Sequence, residues 1–325
     1  MTNDSHLIPT TSLEIPQQHS DDFNNIDLVD IEVTKLDKIQ LDVNFFSIKT
    51  SIIPTSKNVA SVDIAGEVHD LPYDMRPEID FTQIENTLKI TIGIRGNSSN
   101  RRIGKVDVIV SIPKTFNKNL IVSSTCNSVE VRNFKLQDLK VSLATGKIAV
   151  YEVISENLSI INECGKIDIE RVISEKAIIS NSTGLIKCLH CNFKKTSIEN
   201  SAGSIKVIES IISTIFVKDN AGKIVLEEAS GKMKVINYTG AVVITVKELT
   251  DTIDVENKTG QVKLYLPEDA LFDYDLETFT GTMKCEFEHV NCKKGFLGST
   301  ARRIDGDKPL IKASTACGSI KLLKK

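Results

Sequence analysis

Tryptophan is absent from this sequence, and aromatic residues account for only 5% of its 325 residues. Surfaces that stack nucleic-acid bases or sugar rings depend on aromatic side chains, so the composition disfavours such a platform. Acidic and basic residues nearly cancel and leave a formal net charge of −3. Because neither sign is in excess, nothing favours attraction to nucleic acid as a whole, and we expect no nucleic-acid partner.

Long apolar runs and targeting signals are missing as well. No run approaches the roughly 18 apolar residues that would span a bilayer as a helix, which predicts that the chain has no membrane span. The N-terminal stretch MTNDSHLIPTTSLEIPQQHSDDFNN is polar and mildly acidic. It lacks the basic and apolar regions of a secretory signal and the arginine content of a transit peptide, which predicts a cytoplasmic protein.

The cysteines are odd in number and scattered over the chain. This distribution disfavours a disulfide framework and is typical of a reducing compartment. They are Cys126, Cys164, Cys188, Cys191, Cys285, Cys292 and Cys317.

The sequence does contain a repeat, marked by glycines in steps of 18 to 21 residues. The glycines are Gly146, Gly165, Gly184, Gly203, Gly222, Gly240, Gly260 and Gly281, and Gly318 ends the series after a longer interruption. One step before the first glycine, Asn127 occupies the same position, and asparagine tolerates a left-handed backbone conformation. A fixed period of this length indicates stacked repeats.

Apolar residues alternate with polar ones on both sides of each glycine. Two positions after it stand Val129, Ile148, Ile167, Ile186, Ile205, Ile224, Val242, Val262, Met283 and Ile320. Five positions before it stand Val122, Val141, Ile160, Ile179, Ile198, Val217, Val235, Val255 and Leu276. A period of two that is rich in β-branched residues predicts two half-buried strand segments in each repeat.

These patterns predict an all-β fold, a single-chain β-solenoid (β-helix) of about ten coils of 18–21 residues with an N-terminal β-strand cap. We predict a polar, flexible tail over residues 1–34 and a β-strand layer over 35–118 that leads into the solenoid. Regular repeats follow over 119–286, and an irregular loop with a final capping coil over 287–325. The stretch EVHDLPYDMRPEIDFTQIEN contains two prolines and predicts a loop. We expect a monomer.

A polar column precedes the glycines by three positions, and it consists of Asn162, Asn181, Asn200, Asp219, Asn237 and Asn257. Stacked side-chain amides can form a structural ladder, in which each side chain bonds to its neighbours or to the backbone of the turn. The alternative is a row of amides that binds a ligand. We favour the structural ladder.

The motif CLHC, with Cys188, His190 and Cys191, has the spacing of a metal or redox site. A zinc site needs about four ligands, and no second C-x-x-C exists, although Cys292 or His289 could complete one. Both cysteines of the motif fall on apolar positions of the repeat, which favours a role as small core side chains. We therefore predict no metal and no cofactor.

Lysines occupy outward positions one and three after the glycine. They are Lys147, Lys166, Lys187, Lys206, Lys223, Lys263, Lys284 and Lys321. A basic ribbon of this kind could bind an acidic polymer or an acidic protein. Alternatively, the lysines only solvate an exposed sheet and discourage pairing at its edge.

Four stretches carry a family resemblance: VSIPKTFNKNLIVSSTCNSVEV, the series TGKI, CGKI, AGSI and AGKI, then VKLYLPEDALFDYDLETFTGTMKC, and last GDKPLIKASTACGSIKL. Over roughly residues 35–325 the chain resembles the putative-adhesin family, a domain of unknown function regarded as a β-solenoid. The resemblance implies a binding role and brings no set of catalytic residues.

The sequence leaves two candidate functions. The favoured one is a non-catalytic scaffold or binding protein that engages a protein or an acidic polymer through its outer faces. The alternative is a carbohydrate-active β-helix enzyme, a polysaccharide lyase or hydrolase, which would place a pair of carboxylates about 5–10 Å apart in a groove. Carboxylates do not cluster at matching positions of successive coils, so we predict that the protein is not an enzyme.

Overall fold

Strands dominate the computed structural model, which describes residues 26–27, 31–44, 48–66, 77–94 and 106–325. The only helical element among these residues is a 3-10 turn at Val33–Lys35, so the predicted all-β class is confirmed. No helix in this part of the chain is long and apolar enough to cross a membrane. The strands are β1 (Ile26–Asp27), β2 (Lys38–Val43), β3 (Ile48–Thr55), β4 (Ser61–Gly66), β5 (Pro77–Ile84), β6 (Thr87–Ile94), β7 (Val106–Pro113), β8 (Asn119–Arg132), β9 (Lys135–Tyr151), β10 (Ile154–Glu170), β11 (Ile173–Leu189), β12 (Asn192–Ile208), β13 (Ile211–Val246), β14 (Ile253–Leu266), β15 (Asp273–Cys285), β16 (Lys293–Lys294), β17 (Ser299–Arg303) and β18 (Leu310–Lys324).

Each regular coil is one long strand that bends at its glycine and lies parallel to the coils before and after it. The strands β9 to β12 pair in unbroken register, so that Gly146, Gly165 and Gly184 stand one above the next. The strand β13 is long enough to form two successive coils. Residues two and four after the glycine point inward, and Ile148 and Val150 are fully buried. The predicted β-solenoid is therefore confirmed, with the period that the glycines mark.

The glycine position of the coil admits no side chain. Gly165 has a φ of +129°, a backbone conformation that L residues rarely adopt. A Cβ atom at Gly165 would also overlap the carbonyl oxygen of Gly146 in the preceding coil. Since the same overlap recurs at the later glycines of the series, the bend depends on close backbone-to-backbone stacking.

A second bend lies six residues after the glycine, and here non-glycine residues adopt a positive φ. They are Asn133, Glu152, Arg171, His190, Glu209 and Glu228. The N–H of Glu152 donates to the carbonyl oxygen of Glu170 in the next coil at 3.0 Å, and the corners at Asn133, Arg171, His190 and Glu209 repeat this bond. The corner is thus held by hydrogen bonds between coils, which offset the cost of the left-handed conformation.

The predicted flexible tail, residues 1–34, lies largely outside the described residues. Its last residues are part of the fold, since Ile31 and Val33 are buried in the core and β1 pairs antiparallel with β4. The boundary at residue 34 was therefore placed too late, because these two apolar side chains already pack against the solenoid.

Two further layers extend the stack at its N-terminal end, and they stand out of sequence order. The strand β2 pairs with residues 119–124 of β8, and β3 pairs with residues 127–131 of the same strand. The strands β6 and β7 pair with the other edges of β2 and β3. The antiparallel strands β5 and β4 then pair with β6 and β7. These strands cover main-chain groups that the last parallel layer would otherwise leave open.

The predicted loop over residues 67–86 was wrong for its second half. Residues 67–76 lie outside the described part of the chain, but Pro77–Ile84 forms β5. Proline is compatible with this strand because Pro77 is its first residue and β5 lies at the edge of the sheet, where a missing N–H removes no bond from a central ladder.

The C-terminal end is also out of sequence order. The coil of β18 pairs with β14 on one side and with β15 on the other, so Gly318 stacks between Gly260 and Gly281. The segment 310–324 is therefore not the final capping coil that we predicted, but the last coil but one. The cap consists instead of β15, and the antiparallel strand β17 pairs with residues 274–278 of β15.

Aromatic rings fill the interior of this C-terminal cap. The ring of Phe272 makes edge contacts with Phe287, at 5.2 Å between centroids, and with His289, at 4.8 Å. The hydroxyl of Tyr274 donates to the carbonyl oxygen of His289 and accepts from the N–H of Asn291. Burial lowers the pKa of His289, and the positive charges of Lys308 and Arg303 add to this effect, so the environment of the cap favours the neutral imidazole.

Candidate binding faces

The glycine bend divides each coil into a first arm before the glycine and a second arm after it. The outward side of the second arms forms a continuous pleated surface, which we call the second-arm face. It consists of the first, third and fifth residues after the glycine, because the second and fourth point into the core. Parallel register sets neighbouring residues about 4.8 Å apart from coil to coil. All eight lysines predicted as a binding ribbon belong to this face: Lys147, Lys166, Lys187, Lys206, Lys223, Lys263, Lys284 and Lys321.

The lysines do not form one uniform ribbon, because an acidic residue lies between two of them. Lys147 and Lys166 are neighbours in adjacent coils. The carboxylate of Asp168 lies 3.3 Å from the ammonium group of Lys147 and 2.7 Å from that of Lys166. This first pair therefore carries a bound carboxylate within the protein itself.

A second pair of lysines does not hold a carboxylate in this way. Lys187 and Lys206 are direct neighbours in β11 and β12, and Asp168 of β10 stands in register with Lys187 on the other side. Lys187 is half-buried and Lys206 is exposed. Among the described residues, neither lysine has an ion pair.

A third group follows where β14, β18 and β15 lie side by side, and it consists of Lys263, Lys321 and Lys284. In the described part of the chain, only Lys284 of these three has a carboxylate partner, Glu286 at 3.0 Å. The inserted coil of β18 brings Lys321 between the other two lysines, so this group exists only because the coils stand out of sequence order.

Apolar side chains separate the second pair of lysines from the third group. Val225 stands in register with Lys206, and Val243 stands in register with Lys263. Both valines are half-buried on the outer surface of β13. The lysine pattern alone does not reveal these valines, although both stand three residues after a glycine of the repeat.

The six residues predicted as a structural ladder are all buried and stand in register within their neighbouring coils: Asn162, Asn181, Asn200, Asp219, Asn237 and Asn257. The amide of Asn181 donates to the carbonyl oxygen of Gly165 at 3.1 Å, and the amide of Asn162 donates to that of Gly146 at 3.2 Å. Asn257 makes the same kind of bond. Because the amides are buried, a ligand outside the coil cannot reach them.

Asp219 is the only member of this column that can ionise, and its side chain is fully buried. Burial raises the pKa of Asp219 to about 6, although the backbone N–H groups of Ala221 and Asn220 act in the opposite direction. A carboxylate cannot donate the bond that asparagine makes to the glycine of the preceding coil. When Asp219 is ionised, a charge is buried at a position that lacks the bond which Asn162, Asn181 and Asn257 each donate to a glycine carbonyl oxygen.

A shallow groove of about 480 Å³ crosses the outer side of β8 to β11, and its lining residues precede the asparagine position in each coil. Its polar lining includes Lys140, Asp138, Asn157 and Lys176. Asp138 is the only carboxylate of the lining, and it accepts a hydrogen bond from the amide of Asn157 at 2.6 Å. A pair of carboxylates, as hydrolysis of a glycosidic bond requires, is not present in this groove.

The three residues of the CLHC motif do not converge on one point. Cys188 and Cys191 are buried in the core, whereas His190 lies at an exposed corner with Nδ1 3.2 Å from a carboxylate oxygen of Glu209. Burial raises the pKa of Cys188 well above its usual value and that of Cys191 to about 11. Across the described ranges, no cluster of His, Cys, Asp and Glu has the arrangement of a metal site.

One family model matches most of the chain. The model of the family Toastrack DUF4097 matches residues 36–227 and again residues 194–322. No curated protein matches the chain at a significant level.

Solved structures that resemble the chain include two from bacteria. A putative cell adhesion protein from Clostridium sporogenes ATCC 15579 is 13% identical, with a TM-score of 0.23, over 93% of this chain and 98% of that one. A putative adhesin from Bacteroides fragilis NCTC 9343 is 12% identical, with a TM-score of 0.38, over 92% of this chain and 96% of that one. At these values the two structures carry no argument about what this chain binds.

Proposed function

This chain belongs to the Toastrack DUF4097 family, and we propose that it is a non-catalytic scaffold that binds an acidic partner through its second-arm face. The partner is a protein segment or a polymer whose carboxylates lie between lysines of adjacent coils. The solenoid supplies a rigid array of attachment points, because each coil is held in register by the coils on both sides.

One observation carries this proposal. The carboxylate of Asp168 bridges Lys147 and Lys166, which follow their glycines directly. This pair shows how an acidic group fits against two lysines of neighbouring coils. Lys187 and Lys206 are also neighbours in adjacent coils, three residues after their glycines, and in the described part of the chain they form no ion pair, although Asp168 stands in register with Lys187. They therefore offer two adjacent ammonium groups to a partner.

Electrostatics favour this assignment. Two like charges about 5 Å apart repel each other by about 0.8 kcal/mol in water. A carboxylate placed between them would replace this repulsion by two attractive contacts, each of which is stronger where water is partly excluded. The third group, around Lys321, would act in the same way on the coils near the C-terminal end.

The apolar side chains between the lysine groups favour a protein segment over a uniform polymer. Val225 and Val243 occupy the two coils between Lys206 and Lys263. An extended acidic segment with apolar residues in its middle would contact lysines at both ends and the valines at its centre. Burial of apolar area would then add to the electrostatic attraction.

The alternative of a carbohydrate-active enzyme finds no supporting observation. The groove across β8 to β11 has Asp138 as its only carboxylate, and Asp138 is already bonded to Asn157. We therefore propose binding without catalysis.

The test measures binding of a fluorescent polyglutamate peptide by anisotropy. We expect the double variant Lys187→Glu/Lys206→Glu to bind at least about tenfold more weakly than the parent, which corresponds to about 1.4 kcal/mol. Binding of the parent should weaken as salt is raised. A peptide of alternating glutamate and valine should bind more tightly than polyglutamate if the two valines contribute.

The matched control is Lys176→Glu/Lys195→Glu. These lysines are also direct neighbours in β11 and β12, so the net charge changes equally and on the same coils, but they lie before the glycine rather than after it. If both double variants lose binding equally, the attraction is unspecific and the proposed face is wrong. Circular dichroism should show unchanged strand content in all variants.

A further inference from the structure

A turn at the C-terminal end of the stack exposes two large apolar side chains. The strands β16 and β17 form a hairpin whose turn runs from Gly295 to Gly298, closed by a hydrogen bond from the N–H of Gly295 to the carbonyl oxygen of Gly298 at 2.8 Å. Phe296 is fully exposed, at 101% of its reference area, and Leu297 is 60% exposed. Turns favour glycine and polar residues, so neither side chain serves the turn or the core.

A third exposed apolar residue adjoins this hairpin. Phe279 of β15 is 70% exposed. The N–H of Gly281 donates to the carbonyl oxygen of Leu297 at 3.0 Å, and a Cβ on Gly298 would overlap the backbone of Phe279. The turn therefore lies directly against β15. We call this surface, made of Phe279, Phe296 and Leu297, the cap tip.

Basic residues flank the cap tip on both strands of the hairpin. The segment 291–303 contains no aspartate or glutamate, and its basic residues are Lys293, Lys294, Arg302 and Arg303. Among the described contacts, only Arg303 of these four has an ion pair, with Asp305 at 2.9 Å. Glu277, on β15, is the one acidic residue of the adjoining hollow. Asp275 of β15 stands in register with Arg302. The excess of positive charge therefore lies at the turn end of the hairpin, on Lys293 and Lys294, although the whole chain is slightly acidic.

The shape of the cap tip favours one class of partner. Phe296 projects from a turn, and the adjoining hollow has a volume of only about 210 Å³. An aromatic anchor that docks on a protein is usually enclosed in a well-packed pocket at the centre of an interface. A projecting pair of apolar side chains surrounded by cations instead has the composition of a segment that lies in the interface of an anionic bilayer.

We propose that the cap tip anchors this protein to anionic lipid bilayers, with Phe296 and Leu297 inserted among the headgroups and Lys293 and Lys294 in contact with acidic lipids. Two attractive terms act together, because apolar insertion holds the tip in the interface and the cations draw it to the surface. With so few apolar side chains, the attachment is reversible. Lys187 and Lys206, which the peptide test changes, lie several coils away on β11 and β12, whereas Lys284 of the third lysine group lies on β15 with Phe279. Separate variants therefore test this anchor and the function proposed above.

The absence of tryptophan makes insertion directly measurable. The chain contains no tryptophan, so Phe296→Trp introduces a single reporter at an exposed site that the fold does not use. With vesicles of equimolar phosphatidylcholine and phosphatidylserine, we expect its emission to shift to the blue and to be quenched by brominated lipids. With phosphatidylcholine alone, we expect no shift. A tryptophan that stays solvated with both vesicles would overturn the proposal.

Sedimentation with the same vesicles tests the residues separately. We expect Phe296→Ser/Leu297→Ser and Lys293→Glu/Lys294→Glu each to lower the vesicle-bound fraction at least severalfold. The control is Ile154→Ser/Ile173→Ser, which removes two exposed apolar side chains from the flank of the rod and should leave binding unchanged. Equal loss in the control would overturn the assignment to the cap tip.

A contact between two copies of the chain is the competing outcome. In that case the parent would dimerise in analytical ultracentrifugation, Phe296→Ser/Leu297→Ser would be monomeric, and neither would bind vesicles. This result would also overturn the proposal.

Discussion

Asp219 is the one member of the buried asparagine column that can carry a charge. It differs from asparagine by an oxygen in place of the amide nitrogen, and this difference affects stability. At the equivalent place one and two coils earlier in the chain, Asn200 and Asn181 present an amide nitrogen, and Asn181 donates it to a glycine carbonyl oxygen. The carboxylate of Asp219 has only oxygens to present. The fold favours the protonated form because burial removes the charged carboxylate from water, and the protonated form can also donate a hydrogen bond.

The raised pKa predicts a dependence of stability on pH. The pKa of Asp219 is about 6 in the folded protein and about 3.9 in an unfolded chain. Between these values the folded state binds more protons than the unfolded state, so the contribution of this group to stability falls as pH rises from about 4 to about 6. The loss amounts to about 3 kcal/mol, because one pKa unit corresponds to about 1.4 kcal/mol.

We therefore predict that Asp219→Asn is more stable than the parent at pH 7, by up to about 3 kcal/mol, because the amide carries no charge and can donate to the preceding coil. Urea denaturation at pH 4 and at pH 7 measures this difference. The gap between variant and parent should shrink at pH 4, where Asp219 is protonated. Parallel stability curves for the two proteins would contradict the raised pKa.

A control separates the charge from the hydrogen bond. Asp219→Leu removes the charge but cannot donate, so it leaves the glycine carbonyl of the preceding coil without a side-chain partner. It should gain less stability at pH 7 than Asp219→Asn, by about 1 kcal/mol, the usual net value of a hydrogen bond.

At the scale of the coil, the glycine bend is the feature that tolerates substitution least. Gly203 has a φ of +134°, and a Cβ there would overlap the carbonyl oxygen of Gly184. Any side chain must therefore push two coils apart or force the backbone out of register. The strain acts at the middle of the stack, where coils on both sides hold their positions.

We predict that Gly203→Ala lowers the free energy of unfolding by about 3 kcal/mol, because backbone strain and overpacking act together. Gly306 is the matched control, since it also has a positive φ, +92°, but has no atom near the added Cβ. Gly306→Ala should cost only about 1 kcal/mol, from the backbone conformation alone. Equal melting temperatures of the two variants would contradict this prediction, because they would show that the backbone near Gly203 moves to accommodate a Cβ without loss of stability.

The regular coils could be predicted from the sequence because their signals are local. A glycine bend, apolar residues at alternate positions and a buried asparagine recur with the same spacing, and parallel register only repeats what each coil already specifies. The corners were not foreseen. Glu152 and Arg171 adopt a positive φ, a conformation that neither residue type favours and that only hydrogen bonds to the next coil explain.

At the scale of the whole molecule, both ends of the stack depart from sequence order. The coil of β18 lies between β14 and β15, and the strands β2 and β3 lie between β8 and the later strands β6 and β7. A parallel stack always ends in an open edge, which invites pairing with other chains. At each end an antiparallel strand covers part of this edge.

We predict that a chain ending at residue 308 loses the structure of its C-terminal end but keeps its regular coils. Without β18, the strand β15 has no parallel neighbour in register, whereas β9 to β12 depend only on the coils beside them. Hydrogen exchange should show β15 and the aromatic cap exposed, with protection in β9 to β12 unchanged.

The control for this truncation is a chain ending at residue 323, which removes only Lys324 and Lys325 and should exchange like the full chain. If β15 stays protected in the shorter chain, it pairs directly with β14. The inserted coil would then not be required.

The sequence by itself determined the class of fold, the period of the coil, the residues of the core and the lysines that face outward, because these depend on alternation and spacing within each repeat. Only the tertiary structure decided which coils are neighbours at the two ends. It also decided that Asp168 occupies one lysine pair while Lys187 and Lys206 form no ion pair within the described residues. The physical reason is that strand order depends on which sheet edge is free, and an ion pair depends on which side chains can reach each other. A local sequence pattern contains neither kind of information.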